Sequence, residues 1–292
     1  MKAAIYSRVY EDEQQRDVQL FFDELAAHQI APVIFHDFFV QICNKINLPA
    51  DTVTFSAAAD LTEETEFIIS LGGDGTLLDT ITLVRDKNIS IMGVNFGRLG
   101  FLASIGREEV QKAVKAIARR TYVTDTRTLI HVDASLPLFG ETPYALNEFS
   151  IHKRDVASMI KIHTYLNGEF LNTYWADGLI VATPTGSTGY SLSCGGPVVF
   201  PDSGSFVITP VAPHNLNVRP IVVPDNNIIS FEIESRAEQI ICALDSRREL
   251  VSKDLQLAVR KEKFEVSLVR LSENNFLQTL RNKLTWGLDK RN

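Results

Sequence analysis

The sequence predicts an α/β domain followed by a β-rich domain. Up to Arg120, short apolar runs alternate with segments of helical period, which is typical of a parallel sheet with flanking helices. Beyond Arg120 the chain shows many short strand-like segments separated by turn residues such as Asn167-Gly168, which indicates an antiparallel, sandwich-like domain. We expect an α/β domain over 1–123, a β-rich domain over 124–272, and a C-terminal helix over 273–292 that packs back on the first domain.

In the first domain, apolar runs predict strands at 3–9, 32–35, 67–71 and 89–94, and helical spacing predicts helices at 11–29, 38–46, 77–85 and 108–119. Ligands of parallel sheets bind beyond the carboxyl ends of the strands. Residues 72–76 and 95–100 both follow such strand ends, so we expect the ligand there.

In the second domain, the predicted strands are 121–134, 145–152, 160–167, 171–183, 205–211, 221–223, 228–233, 239–244, 255–261 and 264–271. A glycine-rich segment, 183–197, interrupts them. The tail regains helical spacing through Phe276, Leu277, Leu280 and Leu284.

Composition excludes several classes of protein. The net charge of -7 argues against bulk nucleic-acid binding. The cysteines at 43, 194 and 242 are too dispersed for a disulfide framework or a metal site, which favours a reducing compartment. No apolar run approaches the ~18 residues of a membrane span, and the N-terminal run is too short for a signal peptide. We expect a cytoplasmic protein with no membrane or nucleic-acid partner and no metal site of its own.

The most informative motif is Gly72-Gly73-Asp74-Gly75-Thr76, which joins a strand to a helix. Glycines let the backbone approach a ligand, and the N–H groups that open a helix favour an anion. We expect Gly72, Gly73, Gly75 and Thr76 to bind phosphate, with Arg98 as a nearby positive charge. Asp74 either caps the helix or does chemistry beside the phosphates.

Three further segments are candidates for a binding site. Asn147-Glu148 is either a ligand pair or a strand end with a solvated acid. The segment 183–197 is rich in glycine and hydroxyl groups and carries Tyr190, so it suits a polar, sugar-bearing ligand, unless it is only an elaborate turn. His214 and Arg219 are either ligand groups or structural hydrogen-bonding groups at a Pro-braced corner.

Other nucleotide and hydrolase motifs are absent from the sequence. It has no P-loop lysine, no Gly-x-Gly-x-x-Gly and no Gly-x-Ser-x-Gly, and its histidines are scattered. This pattern disfavours P-loop enzymes, dinucleotide dehydrogenases and serine hydrolases.

Over essentially its whole length the chain resembles the NAD kinases. The matching motifs are the turn at 72–75, the pair Asn147-Glu148, the block 183–197, the stretch 213–220 and the Leu284-x-Trp286 ending. The turn alone occurs in lipid kinases and phosphofructokinases too, so the block 183–197 is the discriminating match.

The resemblance implies a two-domain fold and transfer of the γ-phosphoryl of ATP, or of polyphosphate in some members, to the 2′-hydroxyl of the adenosine ribose of NAD. Mg²⁺ would arrive with ATP, and the enzyme would be a homodimer or homotetramer. Asp74 would be the general base. The NAD pocket, partly shared across a subunit boundary, would comprise Asp74, Gly75, Asn147, Glu148, Trp175, Asp177, Thr188, Gly189, Tyr190, Ser191, Leu192, Ser193 and Ala212.

Three positions depart from the family pattern. Asp245-Ser-Arg247 replaces Asp-Gly-Gln, so Arg247 either adds a cation near a phosphate or points to solvent. Gly189 replaces alanine and should loosen its loop, and Trp175 stands where some relatives carry a basic residue.

Two alternatives stay open: a lipid or sugar-phosphate kinase with the same turn, and a non-catalytic dinucleotide sensor. The sequence does not distinguish NAD from NADH, or ATP from polyphosphate.

Overall fold

The computed structural model describes residues 1–155 and 158–285. Contacts within the chain divide it into two units. The first comprises Met1–Thr126 together with the segment that begins at Val266, and the second comprises Arg127–Glu265. The first is an α/β unit and the second is β-rich, so the predicted fold class is confirmed.

The first unit is built on a parallel sheet. Its strands are β1 (Lys2–Tyr6), β2 (Ala31–Phe35), β3 (Val53–Phe55), β4 (Thr65–Leu71), β5 (Ser90–Asn95) and β6 (Ile105–Gly106), and its helices are α1 (Gln15–Ala27), α2 (His36–Ile42), α3 (Asp74–Val84) and α4 (Val110–Arg119). The strands run in the order β5-β4-β1-β2-β3, with β6 beside β5, and all of these pairs are parallel. The sequence did not predict β3 and β6, because two or three residues are too few to show a period.

The strand order of this sheet reverses between β1 and β4. The chain proceeds from β1 outward through β2 and β3, then returns to place β4 and β5 on the other side of β1. In open parallel sheets this switch point opens a crevice beyond the carboxyl ends of the two strands. The segment after β1 begins with Ser7-Arg8, and the segment after β4 begins with Gly72-Gly73.

Helices of the first unit bury apolar faces on the sheet. Helix α1 buries Val18, Phe21, Phe22 and Leu25, which recur at helical spacing, as the sequence predicted. These side chains and those of α4 form one cluster with the strand residues Ile5, Ile34 and Ile69.

The second unit consists of antiparallel strands. They are β7 (Val123–Ala134), β8 (Tyr144–Ala145), β9 (Glu148–Lys153), β10 (Ile160–Leu166), β11 (Glu169–Ala176), β12 (Gly178–Ala182), β13 (Ser205–Val211), β14 (Ile221–Pro224), β15 (Ile229–Glu234), β16 (Gln239–Leu244), β17 (Arg247–Ser252) and β18 (Leu257–Arg270), with one short helix, α5 (Tyr190–Ser193). One sheet has the order β14-β13-β12-β9-β16-β17, and the other strands include the path β11-β10-β15-β18. Strand β18 continues past Val266 into the first unit, where Leu268 and Val269 pair in parallel with β5 of the sheet described above. A single apolar cluster holds side chains of both sheets, among them Phe149, Phe206 and Ile162.

Several predicted strand boundaries in this unit were wrong. The predicted strand 145–152 is divided at Leu146-Asn147, and 171–183 is divided at Asp177, whereas 255–261 and 264–271 form the single strand β18. Strand β17 was missed because Arg247-Arg248-Glu249 hides its alternation of apolar and polar residues. The two unforeseen breaks fall at Asn147 and Asp177, which are residues expected to bind ligand.

The C-terminal helix α6 (Phe276–Leu284) belongs to the first unit. Leu280 is buried, Asn275 caps the helix by accepting the N–H of Gln278, and the side chain of Asn274 donates to Glu109 in the first unit. The prediction placed a helix within 273–292, of which residues 286–292 lie outside the described residues. Within the described residues, no helix combines the length and the apolar character needed to cross a membrane.

Removing the buried ring of Phe149 from the core of the second unit should greatly reduce the stability of the fold. Phe149 is fully buried, and its ring centroid lies 6.1 Å from that of Phe231. Phe149→Ala should lower the free energy of unfolding by about 3–5 kcal/mol, because it leaves a cavity that the sheets cannot fill. Phe170, which is 57% exposed, provides the matched control. Phe170→Ala should cost less than about 1 kcal/mol in denaturant unfolding followed by tryptophan fluorescence; equal costs would contradict this placement of the core.

Candidate active site

The turn at 72–76 offers unpaired N–H groups at the start of α3. Gly72 has φ +152°, and a methyl group added there would lie 2.5 Å from Thr76 Oγ1, so this position requires glycine. The N–H groups of Thr76 and Leu77 both donate to Gly73 O. The N–H groups of Gly73, Asp74 and Gly75 find no acceptor among the residues that the structure describes. Such a set of amides at a helix N-terminus suits an anion.

The Asp74 carboxylate is held by backbone amides rather than capping its own helix. Its Oδ2 accepts the N–H of Phe101 at 2.8 Å, and its Oδ1 accepts those of Leu102 at 3.0 Å and Ala103 at 2.9 Å. The N-cap position is occupied by Gly73, with no side-chain cap. The helix-cap interpretation is therefore wrong. A carboxylate has about four acceptor positions, so three bonds leave one free, on Oδ2.

Gly100 permits this arrangement by lying against the carboxylate. A methyl group added at Gly100 would fall 1.7 Å from Asp74 Oδ1. No side chain at position 100 is compatible with the observed position of Asp74. The sequence placed residues 95–100 near a ligand but did not reveal that Gly100 lies against Asp74 or that residues 101–103 bind its carboxylate.

Arg98 lies in a cavity of about 370 Å³ in the first unit. The cavity is also lined by Lys283 and Gln278 of α6 and by Glu109. The Arg98 side chain thus neighbours the C-terminal helix, and its assignment as a phosphate ligand stays a prediction.

In the second unit, Asp245 organises the segment that carries Asn147 and Glu148. The partly buried Asp245 carboxylate accepts the backbone N–H groups of Leu146, Asn147 and Glu148 at 2.9, 2.9 and 3.1 Å. Asn147 Oδ1 and Glu148 Oε2 are buried and have no hydrogen-bond partner in the described part of the chain. Two buried polar atoms without partners indicate a place for a ligand.

The glycine-rich segment wraps around Asn147. Thr183 N donates to Asn147 O at 2.8 Å, and a methyl group on Gly186 would lie 2.1 Å from that same oxygen. A methyl group on Gly189 would lie 3.1 Å from Glu148 Oε2. The segment is therefore more than a turn: its backbone approaches Asn147 and Glu148 so closely that only small residues fit.

Glu148 is an acid that holds its proton unusually tightly. Burial, and secondarily the nearby Asp245, raise the pKa of Glu148 to about 8. Burial also raises the pKa of Asp245, but three N–H bonds oppose that effect. Of the two carboxyl groups, Asp245 is the better place for the negative charge and Glu148 for the proton.

Tyr190 and Asp177 lie near each other on the same unit. The Tyr190 ring lies 5.7 Å from that of His152, and burial lowers the pKa of His152. Asp177 forms an ion pair with Lys153 at 2.6 Å. Tyr190 is 40% exposed, so its ring is accessible to a ligand.

The remaining predicted pocket residues occupy different surroundings. Ser191 is fully buried and bonds Thr209, and Thr188 bonds Thr185 O, whereas Leu192 and Ser193 continue α5. Trp175 is half-exposed, packs near His214 and lies under Lys161 Nζ. Ala212 adopts φ +45°, a strained conformation for a non-glycine residue that is characteristic of functional sites.

Arg247 and Arg219 both donate hydrogen bonds to backbone oxygens of the second unit. Arg247 Nη1 donates to Thr142 O at 2.6 Å, its Nη2 donates to Tyr144 O, and its guanidinium lies over the Phe139 ring. These contacts contradict the interpretation of Arg247 as a solvated residue, and its interpretation as a cation near a phosphate stays a prediction. Arg219 donates to Leu216 O and Val218 O of its own loop, which favours the structural interpretation.

Comparisons with known proteins agree with this architecture. Residues 12–122 match the family model of the ATP-NAD kinase N-terminal domain, and 146–271 match that of the ATP-NAD kinase C-terminal domain. A NAD kinase of Cytophaga hutchinsonii is 49% identical over 292 residues and 99% of both chains, and one of Bacteroides fragilis is 40% identical over 297 residues and all of both chains.

Solved structures show the same fold at lower sequence identity. Yeast NADH kinase complexed with NADH superposes with a TM-score of 0.86 at 20% identity, covering 99% of this chain and 88% of its own. An NAD kinase from Archaeoglobus fulgidus in complex with ATP gives 0.77 at 24% identity, covering 98% and 99%.

An α/β unit whose turn at 72–76 carries unpaired amides, together with a β-rich unit and these relatives, defines a two-domain phosphotransferase. The chain belongs to the ATP-NAD kinase family. The resemblance drawn from residues 72–75 and 183–197 is thereby confirmed.

The raised pKa of Glu148 predicts a pH-dependent contribution to stability. The folded state holds this proton up to about pH 8, whereas an ordinary glutamate loses it near 4.5. The stabilisation that the bound proton gives the folded state is therefore fully present below pH 4.5, and it is lost as the pH rises through about 8. Glu148→Gln stays neutral, so its free energy of unfolding relative to the parent protein should increase from pH 6 to pH 8.

The measurement is denaturant unfolding at several pH values. The exposed Glu169, at the start of β11, supplies the control Glu169→Gln, which should follow the parent protein at every pH. Parallel curves for Glu148→Gln and the parent would show that Glu148 is not protonated in the folded state.

Proposed function

We propose that this chain transfers the γ-phosphoryl of ATP to the 2′-hydroxyl of the adenosine ribose of NAD, giving NADP, with Asp74 as the general base. The observation that carries the proposal is the position of the Asp74 carboxylate. It is bound by the amides of residues 101–103, and it lies in the turn where the amides of residues 73–75 are unpaired. A pure anion site gains nothing from a carboxylate, whereas phosphoryl transfer to an alcohol needs a proton acceptor beside the phosphates.

The geometry supports a division of roles within the turn. Oδ2 of Asp74 has one free acceptor position, which suits the proton of a hydroxyl group. An aspartate is a weak base toward an alcohol, but phosphoryl transfer is loose and proton removal can be late. Most of the rate then comes from in-line positioning and from the amides of Gly73, Asp74 and Gly75 on the donor phosphates.

The residues present fit a metal that enters on the nucleotide. Among the described residues there is no group of three or more His, Cys, Asp or Glu side chains arranged to hold an ion. Mg²⁺ is commonly bound through substrate phosphates with one or two carboxylates rather than in a protein cage. As part of the substrate Mg-ATP, it would neutralise charge on the phosphates.

For NAD we propose the pocket built on the second unit. Asn147 and Glu148 present unpaired polar atoms for the adenosine half, beside Gly189 and the accessible Tyr190 ring. A protonated Glu148 avoids repelling the two phosphates of NAD. Asp177, Thr188, Ser191, Leu192 and Ser193 would shape this pocket, the buried Ser191 through its bond to Thr209.

Trp175 and Ala212 support the proposal that the pocket continues toward a second subunit. Trp175 and Leu216 are exposed apolar side chains near the strained Ala212, and exposed apolar side chains are suited to burial by a second copy. We propose a homodimer or homotetramer. The free thiols Cys43, Cys194 and Cys242 favour the cytoplasm.

The two alternatives explain less of the molecule. A lipid or sugar-phosphate kinase would use the turn but gives no role to the segment wrapped around Asn147. A non-catalytic sensor would use the pocket but gives no role to Asp74.

The direct experiment incubates the purified protein with Mg-ATP, or polyphosphate, and NAD or NADH. Products are then coupled to an NADP-specific dehydrogenase, and no signal with any pair would refute the proposal.

Replacing the base should separate binding from turnover. Asp74→Asn keeps the size of the side chain but removes its ability to take a proton and replaces one oxygen that accepts a backbone N–H by an amide nitrogen, so kcat should fall by about 10²–10⁴-fold. The Kd of NAD, measured by calorimetry, should change by less than about threefold, since the pocket of the second unit is untouched. Turnover at the parent rate would show that Asp74 is not the base.

Gly100 allows a test that leaves Asp74 in place. In Gly100→Ala the new methyl group would displace the carboxylate, so kcat should fall by about 10²-fold or more with unchanged NAD affinity. Gly97 is the matched control in the same loop, because a methyl group there would lie 3.4 Å from its nearest neighbour. Gly97→Ala should retain activity within about threefold; similar losses in both variants would argue against the proposed contact.

A further inference from the structure

Arg8 lies where the sheet topology predicts a ligand, but sequence reasoning did not select it. It follows β1 by two residues, and β1 is the neighbour of β4 at the switch point of the sheet. The turn that begins with Gly72 follows β4 directly. The first basic residue after β1 and the anion-binding turn after β4 are thus on the same edge of the same sheet.

The Arg8 guanidinium is fixed by a carboxylate on α3. Its Nε and Nη2 donate to the two oxygens of Asp79, and Asp79 Oδ2 also accepts the Tyr6 hydroxyl at 2.8 Å. Burial, reinforced by Asp79, raises the pKa of Tyr6, so that the hydroxyl keeps its proton. A planar guanidinium bound through two nitrogens has a defined orientation, which a lysine could not supply.

The remaining nitrogen of Arg8 is directed toward the turn. A methyl group added at Gly75 would lie 3.4 Å from Arg8 Nη1. Within the described residues, Nη1 has no hydrogen-bond partner, and the side chain is 43% exposed. The free edge of the guanidinium therefore stands beside Gly75, whose own N–H group is unpaired.

We propose that Arg8 binds the phosphates of the donor, with Nη1 and the amides of residues 73–75 contacting the same phosphate group. Asp79 and Tyr6 are positioning residues that act through Arg8. This inference rests on the proposed function for the identity of the donor. It adds a cation to a turn that has no P-loop lysine.

The contribution of Arg8 comes from directed hydrogen bonds more than from net charge. Asp79 balances the charge of Arg8, but it occupies only the Nε and Nη2 edge. The Nη1 edge stays available, and a hydrogen bond from a cation to a phosphate is stronger than one between neutral groups.

Steady-state kinetics tests the role of Arg8 in donor binding. Arg8→Ala should raise the KM for ATP about tenfold or more, which corresponds to losing one charge-assisted hydrogen bond. The KM for NAD should stay within about twofold. Arg8→Lys should recover only part of this loss, because lysine cannot hold Asp79 and a phosphate in one plane; full recovery would contradict the proposed geometry.

Lys2 supplies the matched control at the other end of β1. It is a partly exposed base paired with Glu64, as Arg8 is paired with Asp79. Lys2→Ala should leave both KM values within about twofold. If Lys2→Ala raises the KM for ATP as much as Arg8→Ala does, the effect is general to the sheet and the proposal fails.

A second measurement separates this inference from the proposed function. Calorimetry of inorganic triphosphate with Mg²⁺ requires no turnover, and Arg8→Ala should weaken that binding about tenfold or more. If no NADP forms but triphosphate binding still depends on Arg8, the proposed function fails and the site stands. If NADP forms and neither the KM for ATP nor triphosphate binding changes, the site fails alone.

The double variant Arg8→Ala with Asp79→Asn excludes an indirect effect. Removing Arg8 leaves Asp79 unbalanced near the phosphates, which would weaken binding by repulsion. If Arg8 donates directly, the double variant should stay at least about fivefold weaker than the parent in triphosphate binding. Recovery of parent affinity would show that Arg8 only neutralises Asp79, and would overturn the proposal.

Discussion

The site depends on one contact, in which the carboxylate of Asp74 receives the N–H groups of residues 101–103. It joins the turn after β4 to the loop after β5, and it requires that position 100 have no side chain. The second unit uses the same device: Asp245 receives the N–H groups of residues 146–148 and so orders the segment that carries Asn147 and Glu148. A carboxylate that binds three amides fixes a loop more firmly than contacts between side chains, since each amide has one direction.

The two carboxylates nevertheless have different surroundings and therefore different capacities. Asp245 is partly buried, and its neighbour Glu148 takes the proton because two close negative charges in a site largely shielded from water are unfavourable. Asp74 keeps one acceptor position on Oδ2. The same three-amide arrangement thus produces a structural residue in one unit and a residue capable of receiving a proton in the other.

Much of this could be predicted from the sequence, for reasons that particular residues show. The apolar positions of α1, such as Val18 and Phe21, repeat with the helical period, and Gly72-Gly73 marks the strand end where a parallel sheet binds ligands. Local patterns of this kind do not report contacts between distant residues. Arg8 and Asp79 are 71 positions apart, and nothing in either sequence segment relates them. The partners of Arg247 were missed for the same reason, since they lie 103 and 105 positions away on the backbone of Tyr144 and Thr142.

In the proposed site a carboxylate lies in a turn that would bind an anion, and two negative charges repel each other. The fold avoids this repulsion because the backbone N–H of Asp74 and its carboxylate contact different groups. The N–H of Asp74 belongs to the unpaired amides at the start of α3, where a phosphate is favoured. Its side chain accepts the amides of residues 101–103, and these donors offset the negative charge of the carboxylate, which reduces its repulsion of a phosphate. Gly73 and Gly75 on either side add no side chains that would crowd the proposed phosphate. A residue at the first position of a helix can therefore serve an anion through its backbone and a hydroxyl group through its carboxylate, provided that a neighbouring loop supplies the second set of donors.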